Sequence, residues 1–129
     1  MGKFKLGTIS EKNLNGVHPD LVRVVRHAID ITGIDFRVIE GVRNMARQRD
    51  LVRNGKSKTL VSRHLTGHAV DLAPLVANEI PWNNWDAFEQ VACAMQIAAT
   101  ECGVALVWGG EWQTFRDGPH FELCRKMYP

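Results

Sequence analysis

The strongest constraint on the fold is a single apolar stripe. Between about Asp86 and Cys102, Phe88, Val91, Ala92, Met95 and Ala99 recur at helical spacing, which predicts a long helix that must bury one face against another element. Gly103 is its expected stop. A second stripe, Leu21, Val22, Val25, Ala28 and Ile29, starts after Pro19, a residue suited to a first helical turn, and ends before Gly33. Around these lie four β-prone runs. Phe36, Val38 and Glu40 alternate with Arg37 and Ile39; AVDLAPLV follows at 69–76, VALVW at 104–108 and HFEL at 120–123. Residues 45–54 are rich in helix formers and end at Gly55, whereas 56–67 have poor helical periodicity. Helices and strands alternating irregularly, with short hairpin-like connections, predict an α+β fold: a small antiparallel sheet flanked by helices. No repeat or linker interrupts the 129 residues, which are enough for one core, so 1–129 reads as a single domain.

Composition narrows the function classes. No window approaches the roughly 18 apolar residues of a membrane span, so stable membrane insertion is not expected. The segment MGKFKLGTISEKN has basic residues without an apolar stretch behind them. It does not read as a secretory signal, and synthesis and folding in a cytoplasm are expected. Three cysteines, Cys93, Cys102 and Cys124, form no CxxC pair; reduced thiols in or near the core are expected. The net charge of +2 hides an asymmetry. Residues 1–63 carry 13 Lys and Arg against 6 Asp and Glu, a net +7, and residues 64–129 carry 3 against 8, a net −5. A basic half suits an anionic partner such as nucleic acid, phospholipid headgroups or wall polymer, or simply solvated helix faces. Aromatic residues are not interleaved with the basic ones, so a nucleic-acid platform is not expected. Nothing suggests a large apolar interface, and a monomer is expected.

Chemistry concentrates in two segments. Catalytic zinc takes three protein ligands from His, Asp, Glu or Cys and leaves a fourth position for water. His64 and Asp71 lie in SRHLTGHAVDL, where Gly67 permits a tight turn before a β-prone run. His120 lies in DGPHFEL, just after the bend that Gly118 and Pro119 impose. That bend also brings Asp117 near the same point, where a carboxylate serves as general base. Arg43, in the turn EGVRN after a strand, is placed to stabilise an oxyanion. The pattern alone leaves His64 and His120 open between metal ligands and packed histidines. His68 stands four residues after His64, but Leu65 follows His64 where the zincin helix requires Glu. It is expected to line the site or stand behind it.

These residues resemble a known family. Ser62-x-His64-x-x-Gly67-x-Ala69-x-Asp71 matches every fixed position of the SxHxxGxAxD motif of the zinc D,D-peptidase and Hedgehog-like superfamily, which includes VanY- and VanX-like peptidases. Asp117–Gly118–Pro119–His120 is similar to its second motif, and EGVRNMARQ to its upstream Arg and Gln segment. The similarity runs from about Gly16 to Glu122. Within the superfamily, GVHPDL, GKSKTLVSRHLTGHAVDLAP and WGGEW look like phage endolysins of the L-alanyl-D-glutamate endopeptidase type.

The resemblance implies a Hedgehog/D,D-peptidase-like domain with Zn2+ on His64, Asp71 and His120, and Asp117 as general base. Arg43 would stabilise the oxyanion or bind substrate, with Ser62, Gln48 and His68 also at the substrate site. The implied substrate is bacterial peptidoglycan, cut between L-Ala and D-Glu of the stem peptide with lysis of the host wall. It further implies synthesis in the host bacterial cytoplasm, and action at the periplasmic wall after a holin-type partner permeabilises the membrane. No separate wall-binding module is expected. Two other readings are a D-Ala-D-Ala carboxypeptidase or dipeptidase and a zinc-containing binding module without catalysis. Trp108 and Trp112 flank the turn before Asp117, so one of them is expected to wall the cleft. Trp82, Trp85, Trp108 and Trp112 otherwise read as core or rim packing rather than sugar platforms, and Glu122 as making a structural bond.

Overall fold

Two helices cover one face of a four-stranded sheet, and the opposite face of its two central strands is left for polar side chains. The computed structural model describes residues 2–114 and 116–129. In chain order the elements are α1 (Thr8–Asn13), α2 (Pro19–Ile31), β1 (Asp35–Glu40), α3 (Met45–Arg53), β2 (Ala69–Leu75), α4 (Trp85–Cys102), β3 (Leu106–Trp108) and β4 (His120–Leu123), with 3-10 turns at Arg63–Thr66 and Gly109–Glu111. The strands are antiparallel in the order β1-β2-β4-β3. The α+β expectation therefore holds. The expected hairpin-like connections do not occur: β1 and β2 are separated by α3, and β3 and β4 by residues 109–119.

The helices start and stop where their caps dictate. The side chain of His18 accepts from the Asp20 N–H ahead of α2, with Pro19 in the first turn and Asp20 complementing the helix dipole. Asn84 caps α4 through the Ala87 N–H, and Gly103 ends it. Leu21, Val24, Val25 and Ala28 of α2 are buried with Val91, Met95 and Ala98 of α4 and with Val70, Leu72, Phe121 and Leu123 of the central strands. Period-2 alternation then turns Asp71, His120 and Glu122 to the other face. Cys93 departs from expectation by lying exposed on α4, while Cys102 and Cys124 are half-buried.

The sequence pattern misses α1, which is too short for a periodic stripe. Its role is to satisfy the free edge of β1. Ser10 Oγ accepts from the Val38 N–H at 3.0 Å, and Asn13 Nδ2 donates to the Val38 carbonyl at 2.8 Å. Next to that point β1 carries a bulge between Val38 and Glu40, which leaves Glu40 paired with Asp71. The irregularity re-aims the end of the strand.

Candidate metal centre and catalytic cleft

Asp71 and His120 face each other in register across β2 and β4. His64 reaches the same point from the first 3-10 turn, which Ser62 caps by accepting from the His64 N–H at 3.2 Å. The chain turns back towards β2 at Gly67, where φ is +77° and an added Cβ would stand 2.6 Å from the Gly16 carbonyl oxygen. One ligating atom each from His64, Asp71 and His120 lies within 4.8 Å of the others. Three side chains distant in sequence thus meet at one point.

The partners of the two imidazoles say what that point is built to hold. His64 Nδ1 lies 2.8 Å from the Gly41 carbonyl, and His120 Nε2 lies 2.8 Å from Glu122 Oε1. Both partners are acceptors, so these ring nitrogens carry the protons. The remaining nitrogens, His64 Nε2 and His120 Nδ1, face Asp71 Oδ1 at 3.1 and 3.4 Å. Lone pairs converge there, and they require either extra protons or a cation between them. Two imidazole nitrogens and a carboxylate, each ring held from behind by an acceptor, fit a divalent metal site.

The charges of the metal-free cluster follow from the same contacts. Burial opposes ionisation of Asp71, but hydrogen bonds from His120 and His64 outweigh it and hold the carboxyl far below the ordinary carboxylate range. Burial likewise opposes a charged His120, yet its bonds to Asp71 and Glu122 push it up to about 9. Asp117 moves the other way from Asp71: burial raises it, and the neighbouring Asp71 charge adds to the rise.

Asp117, Arg43 and Ser62 line the same cleft, of about 640 Å³, as the three converging residues. Asp117 is set by the 109–119 loop. Its N–H donates to the Gly109 carbonyl at 3.0 Å, and Trp108 Nε1 donates to the Gly118 carbonyl at 2.6 Å. A Cβ on Gly109 would stand 2.6 Å from the Asp117 carbonyl oxygen, so the loop closes only around glycine here. Arg43 is almost fully buried. Its Nε and Nη2 donate to Glu40 at 2.9 and 2.8 Å, its Nη1 donates to Gln48 Oε1 at 2.7 Å, and Nη2 lies 3.7 Å from Asp71 Oδ2. Among the described residues, three of its five N–H donors are thereby used, which leaves two.

Two expected substrate contacts are placed elsewhere. Gln48 is fully buried behind Arg43, where it donates to Ser57 Oγ and the Thr59 carbonyl. It ties Arg43 to the 57–59 loop and does not line the cleft. His68 precedes β2 with its side chain on the other face of the sheet, 5.5 Å from the His18 ring, and bonds to Thr66 Oγ1 through Nδ1. Strand alternation separates it from Asp71. Of the two tryptophans, Trp112 walls the cleft, its ring 5.0 Å from that of His120, while Trp108 is buried and stacks on Phe121. Trp82 lines the cleft too, as an exposed rim residue packed on Phe88. A reading of the sequence overlooks Glu40 and undervalues Glu122. The signal for Glu122 is its i+2 spacing from His120 on one strand; the β1 bulge that aims Glu40 has no clear sequence mark.

The chain is similar to known proteins along nearly its whole length. The family model of the phage L-alanyl-D-glutamate peptidases matches residues 1–124. The L-alanyl-D-glutamate peptidase of Escherichia phage T5 is 37% identical over 128 residues, covering 97% of this chain and 93% of that protein. The peptidoglycan L-alanyl-D-glutamate endopeptidase CwlK of Bacillus subtilis (strain 168) is 30% identical over 106 residues, covering 70% of this chain and 62% of its own. Among solved structures, the Serratia marcescens L-Ala D-Glu endopeptidase ChiX superposes with a TM-score of 0.92 at 53% identity, over 98% of this chain and 95% of that one. The D,D-dipeptidase VanXYg has a TM-score of 0.51 at 14% identity over 83% of this chain and 50% of its own, a likeness of fold alone. The chain belongs to the phage L-alanyl-D-glutamate peptidase family.

Proposed function

We propose that this protein is a zinc-dependent endopeptidase that hydrolyses the L-Ala–D-Glu amide of peptidoglycan stem peptides. The observation that carries the metal assignment is the convergence of His64 Nε2, His120 Nδ1 and Asp71 Oδ1, with both imidazoles already bonded on their outer nitrogens. The choice of bond rests on the L-alanyl-D-glutamate peptidases that the chain resembles.

His64, Asp71 and His120 would hold the ion. When bound, zinc supplies Lewis acidity, polarising the amide carbonyl and making water nucleophilic near neutral pH. Asp117 stands in the cleft to accept the proton of the attacking water and return it to the departing amine. Arg43, fixed by Glu40 and Gln48, has N–H donors left for the carbonyl oxygen or a substrate carboxylate. Ser62 positions His64 from the cleft wall. On this reading residues 1–129 form one catalytic domain that acts as a monomer. It is made in a bacterial cytoplasm and reaches the periplasmic wall once a holin-type partner has permeabilised the membrane.

Mass spectrometry of purified peptidoglycan digested with the zinc-loaded protein tests the reading. Muramyl-L-Ala and peptides beginning with D-Glu are expected. Release of D-Ala would assign the protein to D-Ala-D-Ala hydrolysis, and an undigested wall would favour a binding module.

A further inference from the structure

The cleft has two chemically different walls. On the β1 side, Arg43 and Arg47, both paired with Glu40, line it together with Lys56 and Lys58, which leaves that side with an excess of positive charge. On the side reached from the loop after β2 and from the turn after β3, Trp82 and Trp112 line it. Trp82 belongs to the β4 side, because it stacks on Phe88, and Gly118, just ahead of β4, lies against the same Phe88; Asp71 of β2 stands next to β1. Trp82 is unusual for its exposure, 59% for so large an apolar side chain. One face of its ring stacks on Phe88 at 5.9 Å and 29°, and Phe88 is only 3% exposed.

The loop that carries Trp82 is held firmly. Val76 and Glu79 exchange backbone hydrogen bonds of 2.9 and 3.0 Å around Ala77 and Asn78, both at positive φ (53° and 64°). Residues other than glycine adopt that conformation at a cost, and such costs gather at functional sites. The Trp82 N–H then donates to the Ile80 carbonyl at 2.9 Å, and the Asn84 N–H to the Pro81 carbonyl at 2.9 Å. A rigid aromatic face beside a catalytic cleft offers apolar contact and a negative ring quadrupole to C–H groups. Sugar rings present such C–H faces.

We propose that the cleft orients its substrate end to end: Trp82 receives the muramyl sugar that precedes L-Ala, and the Lys56 side receives the carboxylates that follow the cut bond. This rests on the L-Ala–D-Glu reading above. That bond is the first in the stem, so its amino side carries the sugar and its carboxyl side carries the acidic residues. The two walls match those two chemistries across the metal-binding residues.

The test compares kcat/KM for N-acetylmuramoyl-L-Ala-D-Glu-diaminopimelate and for D-lactoyl-L-Ala-D-Glu-diaminopimelate, which lacks only the sugar. Wild type should prefer the muramyl peptide by about tenfold, the worth of one good aromatic contact. Trp82→Ala should erase most of that preference and Trp82→Tyr should restore it. Lys56→Gln should lower both substrates alike. Equal wild-type rates on the two substrates, or a preference that survives Trp82→Ala, would overturn the sugar platform. A preference lost in Lys56→Gln instead would reverse the orientation. If wild type cuts neither peptide, the L-Ala–D-Glu reading itself fails, and the orientation with it.

Discussion

Glu122 lies two residues after His120 on β4, and its Oε1 stands 2.8 Å from His120 Nε2. That contact leaves Nδ1 as the nitrogen facing Asp71, 3.4 Å away. The imidazole is therefore oriented from behind by a carboxylate, which fixes the tautomer and raises the basicity of the ligating atom.

Replacing Glu122 by Gln keeps the shape of the side chain and removes its charge. Zinc affinity should fall by about 10- to 100-fold while the fold is kept. Competition with a chromophoric chelator measures it. An unchanged affinity would mean that the carboxylate does not tune the site.

Asp117→Ala should separate metal binding from turnover. Zinc should remain bound, and kcat should fall by about 10²- to 10⁴-fold, the usual worth of a general base. Metal content and initial rates of the same preparation check both halves. A preparation that loses its zinc would make Asp117 a ligand.

Metal affinity should rise with pH. The folded His120 holds its proton up to about 9 in the metal-free site, and a metal must displace it. Affinity should strengthen about tenfold per pH unit up to about 9 and then level off, one proton being released. Stability of the metal-free protein runs oppositely. The folded value lies above the unfolded one, so this contribution is full below about 6.5 and is lost as pH rises through about 9. Chelator competition and thermal melts at several pH values read the two trends; a flat affinity profile would remove His120 from the ligand set.

Gln48→Ala should act through Arg43. The substitution leaves a buried guanidinium N–H without its acceptor and frees the 57–59 loop, at a cost of about 1–3 kcal/mol. Urea unfolding should show that loss. Peptide KM should rise more than zinc affinity falls, because Gln48 touches none of the converging atoms. A variant with full stability and unchanged KM would show that Arg43 is held well enough by Glu40 alone.

The sequence carries the helical stripes of α2 and α4, because each buries a whole face and so leaves a periodic trace. The three converging residues are legible only through the resemblance of SxHxxGxAxD and DGPH to the family motifs; the spacing around Gly67 and the bend at Pro119 alone leave His64 and His120 open, because their meeting depends on long-range pairing of β2 with β4. What the sequence lacks is placement across the sheet. Gln48 and Arg43 share one upstream segment, yet Arg43 faces the cleft and Gln48 is sealed behind it, a distinction set by how α3 packs. His68 lies three residues from Asp71, an odd spacing that puts it on the opposite face once the chain is extended there, which the i+4 spacing from His64 obscures. α1 makes no stripe; its Ser10 and Asn13 matter for the single residue Val38 that they satisfy.

Zinc stoichiometry tests the central claim most directly. Wild type and the His64→Ala, Asp71→Ala and His120→Ala variants should be purified folded, loaded with equal zinc, desalted and assayed by elemental mass spectrometry. The expected result is about one ion per wild-type chain and near zero in each variant, since removing one of three protein ligands dismantles the site. A full complement of tightly held zinc in folded His120→Ala would contradict the claim.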